Sequence, residues 1–254
     1  MPTEDLYVSR DARLGFFNAT SWSSARDATS ASTISNTLDR STSAVGTNKA
    51  SSKYHVMRSF FAFDTSGITT TVNSATLRLY GYGSGTNADI ILVKLSSGAT
   101  GSPSANFVNG DFDAIQGFSS GQSMDGNVTV YSSELSSWSS SGYNSITLNA
   151  AALSDIKNNN SFNFAIVEYD TDFLNSSPTT FRRIGMHYVD FTSTSRDPFL
   201  RMDVEAAATD TPQQKRNRRR RRRSKGAKAR SGFSTKHVMA PSGGSSTGNG
   251  FGDI

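Results

Sequence analysis

The 254-residue chain contains no cysteine, which excludes a disulfide framework, a thiolate zinc site and a cysteine nucleophile together. Histidine is almost as scarce. His55, His187 and His237 stand far apart with no acid or second histidine at ligand spacing beside them, so they read as surface or strand positions rather than metal ligands. No apolar run approaches the roughly 20 residues that a membrane-spanning helix requires. The opening segment MPTEDLYVSR is acidic where a secretory leader would be basic and then apolar, which points to synthesis in a cytoplasm. No G-x-S-x-G elbow, Walker loop or dinucleotide fingerprint is present, and no acid/base pair is spaced for catalysis. A protein without enzymatic activity, cofactor, metal or membrane span is the expectation.

Apolar residues are also few, at 35% of the chain. Serine, threonine, asparagine and glycine fill the difference, which implies short strands joined by many turns. The 16 phenylalanines and 8 tyrosines nevertheless offer enough large apolar area for a body of about 205 residues to bury a core unaided.

Where apolar residues occur they mostly alternate, as in a strand with one face on a core and one in water. Ala75, Leu77 and Leu79 share one face of residues 75–80. Ile146 and Leu148, then Phe162, Phe164 and Ile166, then Leu200, Met202 and Val204 define further strands over 145–149, 162–168 and 199–204. Continuous apolar stretches at 59–63 and 90–95 predict strands covered on both faces. A short helix candidate over 150–157 is an excursion in a link between strands. Residues 19–52, rich in small polar side chains, predict long surface loops or edge strands around Trp22 and Ile34. This grammar is that of an all-β sandwich.

Arg58-Ser-Phe-Phe-Ala-Phe-Asp64, a Ser/Thr linker and Asn73-Ser-Ala-Thr-Leu-Arg-Leu-Tyr80 together resemble a known strand pair. It is that of the DNRLRE-type jelly-roll modules, themselves similar to a family of carbohydrate-binding modules, in which an R-x-F-L-x-F-D-like strand precedes S-A-T-L-x-L-Y. Tyr143-Asn-Ser-Ile-Thr-Leu148, residues 162–168 and Thr194-Ser-Arg-Asp-Pro198 ahead of the last strand are similar to its closing half. The resemblance spans residues 55–205. It implies a jelly-roll β-sandwich over residues 1–207, of a kind found on secreted surface proteins and in phage structural proteins, and it leaves residues 208–254 unaccounted for.

Charge separates those two parts. Residues 1–210 hold 14 Lys and Arg against 20 acids, a net of −6, whereas residues 211–254 hold 12 against Asp253 alone, a net of +11. Eleven cations fall within 16 residues: Lys215, Arg216, Arg218, Arg219, Arg220, Arg221, Arg222, Arg223, Lys225, Lys228 and Arg230. With no apolar face to fold on, such an arm is expected to be disordered alone and to bind polyanions without base-specific readout. Beyond it, Phe233, Val238, Met239 and Phe251 are spaced along a Gly/Ser-rich stretch that either docks on a partner or is a plain linker.

Two functions fit. One is a virion structural protein, most naturally of a phage: a capsid or capsid-decorating subunit made in the host cytoplasm. It would assemble with copies of itself and other virion proteins, its arm contacting packaged nucleic acid or an acidic neighbouring subunit. The other, which the resemblance implies, is a carbohydrate-binding module using exposed aromatics, with Trp22, Trp138, Tyr80, Tyr82 and Tyr143 the candidates by residue type. Two acidic pairs, Asp111 with Asp113 and Asp170 with Asp172, have the composition of a calcium loop but lack its glycine and further acids, so turn-capping is the simpler reading. Four N-x-S/T sequons, at Asn18, Asn127, Asn159 and Asn175, match the chance rate of so Ser/Thr-rich a chain.

Overall fold

The structure, a computed structural model, describes residues 2–83, 88–189 and 194–206. The strands among these residues are β1 (Thr3–Tyr7), β2 (Arg10–Ala19), β3 (Thr33–Ser35), β4 (Arg40–Ala50), β5 (Lys53–Asp64), β6 (Val72–Tyr80), β7 (Ile90–Lys94), β8 (Tyr143–Thr147), β9 (Ser161–Glu168), β10 (Arg182–His187) and β11 (Phe199–Val204). Two short helices interrupt them, α1 (Trp22–Arg26) and α2 (Ala150–Asn158). Every strand pairing is antiparallel. The expected all-β architecture is present as two sheets.

The first sheet runs β1-β11-β6-β8, and the second runs β10-β4-β5-β2-β3 with β9 and β7 attached beside β5. β5 organises the second sheet. Its residues 53–57 pair with β4 and its residues 59–64 pair with β9 on the same side, while β2 follows it along the other. The sheet therefore forks at Arg58. At the fork Ser59 Oγ donates to the Ala44 carbonyl at 2.9 Å and lies 2.7 Å from the Tyr188 hydroxyl, which satisfies polar groups that the diverging strands release.

Leu77, Leu79, Leu200 and Met202 of the first sheet meet Phe61, Phe63, Phe162 and Phe164 of the second in the core between the layers. Phe61, Phe63 and Phe164 stack within 5.4–6.0 Å of one another in consecutive pairs. Full burial of each such ring stabilises the body by about 1.5–3 kcal/mol before chain entropy is subtracted. The inward positions expected of β6, β8, β9 and β11 all lie in this core.

The second sheet is covered on its other face as well. Leu14, Phe60, Ala62, Ile91, Val93 and Ala165 point away from the first sheet into a second core, closed by Phe107, Phe112, Ile115, Met124 and Phe173 from the long β7–β8 link and the turn after β9. This is the two-sided cover expected of residues 59–63 and 90–95. It also changes the reading of β9: Ala165 and Val167, the alternate positions, are fully buried rather than solvent-facing.

Residues 19–52 depart from expectation. β3 is an edge strand around Ile34, but β4 is an eleven-residue interior strand between β10 and β5. Its buried residues are small, Ser41, Ala44, Val45, Gly46 and Thr47. They suit a crowded crossing: a side chain built on Gly46 would stand 2.1 Å from the Arg182 carbonyl oxygen. Low hydrophobicity here reflects close backbone approach, not exposure. The expected helix at 150–157 is α2, capped by the Asn149 side chain accepting from Ala152 N–H.

Candidate binding surfaces

The most conspicuous polar cluster is sealed. Arg58, from the fork of β5, donates Nε and Nη2 to the two carboxylate oxygens of Asp172 at 2.8 Å each, Nη1 to the Phe112 carbonyl at 2.7 Å and Nη2 to the Arg26 carbonyl at 3.0 Å. Arg26, on α1, donates to the Asp172 carbonyl at 2.7 Å and to Asp27 Oδ1 at 2.7 Å. The guanidiniums of Arg26 and Arg58 lie 5.1 and 5.4 Å from the Phe118 ring centre. All three charged side chains are fully buried. Burial lowers the Arg26 pKa from its ordinary value, Asp172 opposing that shift. This network is a fastener: it holds α1, the turn at 169–173 and the covering link onto the sheet, and it presents nothing to a ligand.

Three of the four acids in the two acidic pairs are consumed in the same way. Asp111 accepts from the backbone N–H groups of Thr100, Gly101 and Val108 at 2.6, 3.2 and 2.9 Å, the turn-capping role. Asp172 belongs to Arg58, and Asp170 pairs with Arg182. Among the described residues no three His, Asp or Glu side chains gather as a metal cage.

On the outward face of the first sheet, rings form an unbroken chain. Tyr7 packs on Phe199 at 5.4 Å, Phe199 on Tyr143 at 5.4 Å, Tyr143 on Tyr80 at 5.1 Å, Tyr80 on His187 at 5.5 Å and His187 on Tyr82 at 5.3 Å. Arginines cap them: Arg201 over Phe199, Arg78 over Tyr143, Arg196 over Tyr80 and Arg40 over Tyr82, at 4.8–5.4 Å. Strand register explains it, since Tyr7, Phe199 and Arg78 lie opposite one another in β1, β11 and β6, and Tyr80 lies opposite Tyr143. Three of the five candidate aromatics thus meet. Their ring faces are mostly spoken for, and Tyr7, 47% exposed, is the open ring of the row. Trp138 packs against the inner core with Nε1 donating to the Gly185 carbonyl at 3.1 Å, and Trp22 donates to Asn175 Oδ1 at 3.1 Å beside Tyr54.

Several concavities among the described residues open to solvent, two of them with chemically mixed linings. A polar pocket of about 390 Å³ lies against β7 and α2, where Lys94 Nζ stands 2.8 Å from Asp155 Oδ2 and Asn159 Nδ2 donates to Asp155 Oδ1 at 3.0 Å. Burial would raise the Asp155 carboxyl, but Lys94 and the Tyr131 hydroxyl hold it below the ordinary range. An apolar-floored groove of about 360 Å³ lies over β2, β4 and β5, with Met57 at its base, Phe17, His55 and Phe181 around it, and Arg13, Ser43 and Asn48 offering polar atoms. His55 is therefore a strand residue facing a groove; it accepts from the Asn18 N–H at 3.3 Å, and burial lowers its pKa. Sequence inspection missed this site because its members come from separate strands and share no local motif.

The expected polyanion-binding residues, Lys215 through Arg230, lie outside the described residues, as does His237. No family model matches the chain, and no curated protein matches it.

Proposed function

We propose that this is a virion structural protein, a jelly-roll body built into or decorating a particle, whose arginine arm binds packaged nucleic acid. The observation that carries the reading is the charge division, −6 over residues 1–210 against +11 over residues 211–254. Eleven cations in 16 residues match the density with which an arm neutralises a phosphate backbone, and guanidinium forks suit phosphate oxygens. The interleaved orders β1-β11-β6-β8 and β5-β9-β7 support the jelly-roll arrangement, and the resemblance to DNRLRE-type modules supports placement among phage structural proteins. A second reading, a carbohydrate-binding module, is favoured by the convergence of Tyr80, Tyr82 and Tyr143 on one sheet edge.

The test is a filter-binding titration of the full chain, and of a chain ending at residue 206, against duplex DNA and single-stranded RNA over a range of salt. With all 11 cations engaged, log K should fall against log salt with a slope of about −10, and with the six consecutive arginines alone about −5. Equal binding by the shortened chain would remove the arm from the mechanism. Retention of an acidic protein partner with no nucleic-acid binding would assign the arm to a neighbouring subunit instead.

A further inference from the structure

The ring row on the outward face of the first sheet is held in place by its own hydroxyls. Tyr80 Oη donates to the Ser141 carbonyl at 2.8 Å, and Tyr143 Oη donates to the Ser195 carbonyl at 2.9 Å. Their planes stand at 82° to each other, and Tyr80 and Tyr82 both meet the buried His187 edge-on. Three guanidiniums lie over these fixed rings: Arg78 over Tyr143 at 5.4 Å, Arg196 over Tyr80 at 5.0 Å and Arg40 over Tyr82 at 4.8 Å. Each comes from a different element, β6, the turn Thr194–Arg196 and the start of β4. Arg196 and Arg40 converge on His187, since the charge of each lowers its pKa.

A guanidinium lying over a ring gives one face to the ring and keeps its N–H edge for an acceptor. The Arg40 guanidinium is exposed and makes no hydrogen bond or ion pair among the described residues. Arg78 donates one nitrogen to Ser145 Oγ and forms no ion pair among them. The acids further along the face are already answered: Arg201 closes on Asp5 with two bonds of 2.9 and 2.8 Å, and Asp203 accepts from Thr3 and Ser74. Asp39 and the buried Asp197 offset part of the charge at the aromatic end, against three guanidiniums. Tyr7 completes the arrangement. It lies two strands from Arg78, about 10 Å away across Phe199, and is 47% exposed.

We propose that this face is a second nucleic-acid contact, which holds a single strand by its phosphates on Arg40, Arg78 and Arg196 and stacks a base on Tyr7. Bases stack on guanidinium planes as well as on rings, so rings already covered by arginine still serve a nucleic-acid strand. A sugar needs a bare ring face, and Tyr7 is the open ring of the row. An acidic peptide would use the cations and leave Tyr7 idle, and a duplex keeps its bases stacked within itself. The proposal takes its ligand class from the arm and rests on that reading. A strand engaged by Lys215 to Arg230 is kept at high effective concentration around the body of the same chain, which offsets the repulsion of a net charge of −6.

The experiment irradiates the full chain bound to an oligothymidylate and maps the cross-linked peptides by mass spectrometry, with NMR of the Arg40, Arg78 and Arg196 Nε–H signals in parallel. Cross-links at Tyr7 as well as in the arm are expected, with Nε–H shifts larger for oligothymidylate than for inorganic polyphosphate or a polyglutamate peptide. Tyr7→Ala should remove the body cross-link and weaken binding at least about fivefold. Arg40→Gln combined with Arg78→Gln should make the slope of log K against log salt shallower by about 1.4, at about 0.7 for each contact to a single strand. Tyr7 is exposed, so its variant carries the test if the double variant is unstable. Cross-links confined to the arm, or an unchanged slope in the double variant, would overturn the proposal and leave the arm's role standing. Cross-links at Tyr7 with none in the arm would sustain this site and remove the arm. Shifts led by polyglutamate would overturn it in favour of an acidic protein, and equal shifts with polyphosphate would overturn the single-strand assignment. No cross-link anywhere would overturn both readings.

Discussion

Replacing Asp172 by asparagine tests whether the sealed arginine network fastens the covering link to the sheet. Asp172 is fully buried and accepts twice from Arg58, at 2.8 Å each, while Arg26 Nε lies 3.6 Å from its Oδ1. Asparagine keeps one acceptor but turns an NH₂ group towards guanidinium donors. Two buried cations are then left with Asp27 alone, which pairs with Arg26 and not with Arg58. Removing one partner of a buried ion pair costs about 3–5 kcal/mol. In a body of this size each kcal/mol lowers the melting temperature by about 2–4 °C, so a fall of roughly 6–20 °C is expected. Urea unfolding and calorimetry of the full chain measure both quantities. The double variant Arg58→Met/Asp172→Leu should recover much of the loss, because it removes the desolvated charge along with its partner. A loss below about 1 kcal/mol for Asp172→Asn would equate the pair with an exposed one and refute the fastening argument.

Two further outcomes follow from single residues. Burial, then Arg196 and Arg40, push the His187 imidazole from 6.5 down to about 4. The unfolded chain therefore takes up this proton first as pH falls, so the stabilisation is complete above about pH 6.5 and drains away towards pH 4, with a slope of at most about 1.4 kcal/mol per pH unit. Denaturant midpoints measured from pH 7.5 to 4.5 should show that decline, and His187→Gln should flatten it; an unchanged profile in the variant would assign the decline to other groups. Asp111→Ala strands three backbone N–H groups and should cost about 2–3 kcal/mol while exposing residues 100–111 to proteolysis, with Asp111→Asn intermediate. Wild-type cleavage rates in the alanine variant would contradict that role.

Strand positions were legible wherever one physical signal dominated. Period-two alternation found β6 and β11, because a sheet with one face in water must alternate. Continuous apolar runs found β5 and β7, because both of their faces are covered. β4 was hidden for the converse reason: its interior place is secured by small residues that let the Arg182 and Arg183 backbone approach, and hydropathy does not register close approach. The covering link at 95–142 holds turns and isolated bridges and shows no strand or helix period. Its phenylalanines at 107 and 112 are nevertheless core residues, placed by Arg58 and Asp111 rather than by any periodicity of their own.

Arg58 shows why a motif can be recognised without its purpose being read. In Arg58-Ser-Phe-Phe-Ala-Phe-Asp64 the three phenylalanines announce a strand, and nothing in the motif assigns the arginine a partner. The structure places it at the fork of β5, where β4 departs and β9 begins, so that the gap in the sheet opens onto the second core instead of water. A long side chain with five donors in a fixed plane answers several acceptors there at once: a carboxylate from the turn after β9, a carbonyl from the covering link and a carbonyl from α1. Lysine would carry the charge but not that geometry.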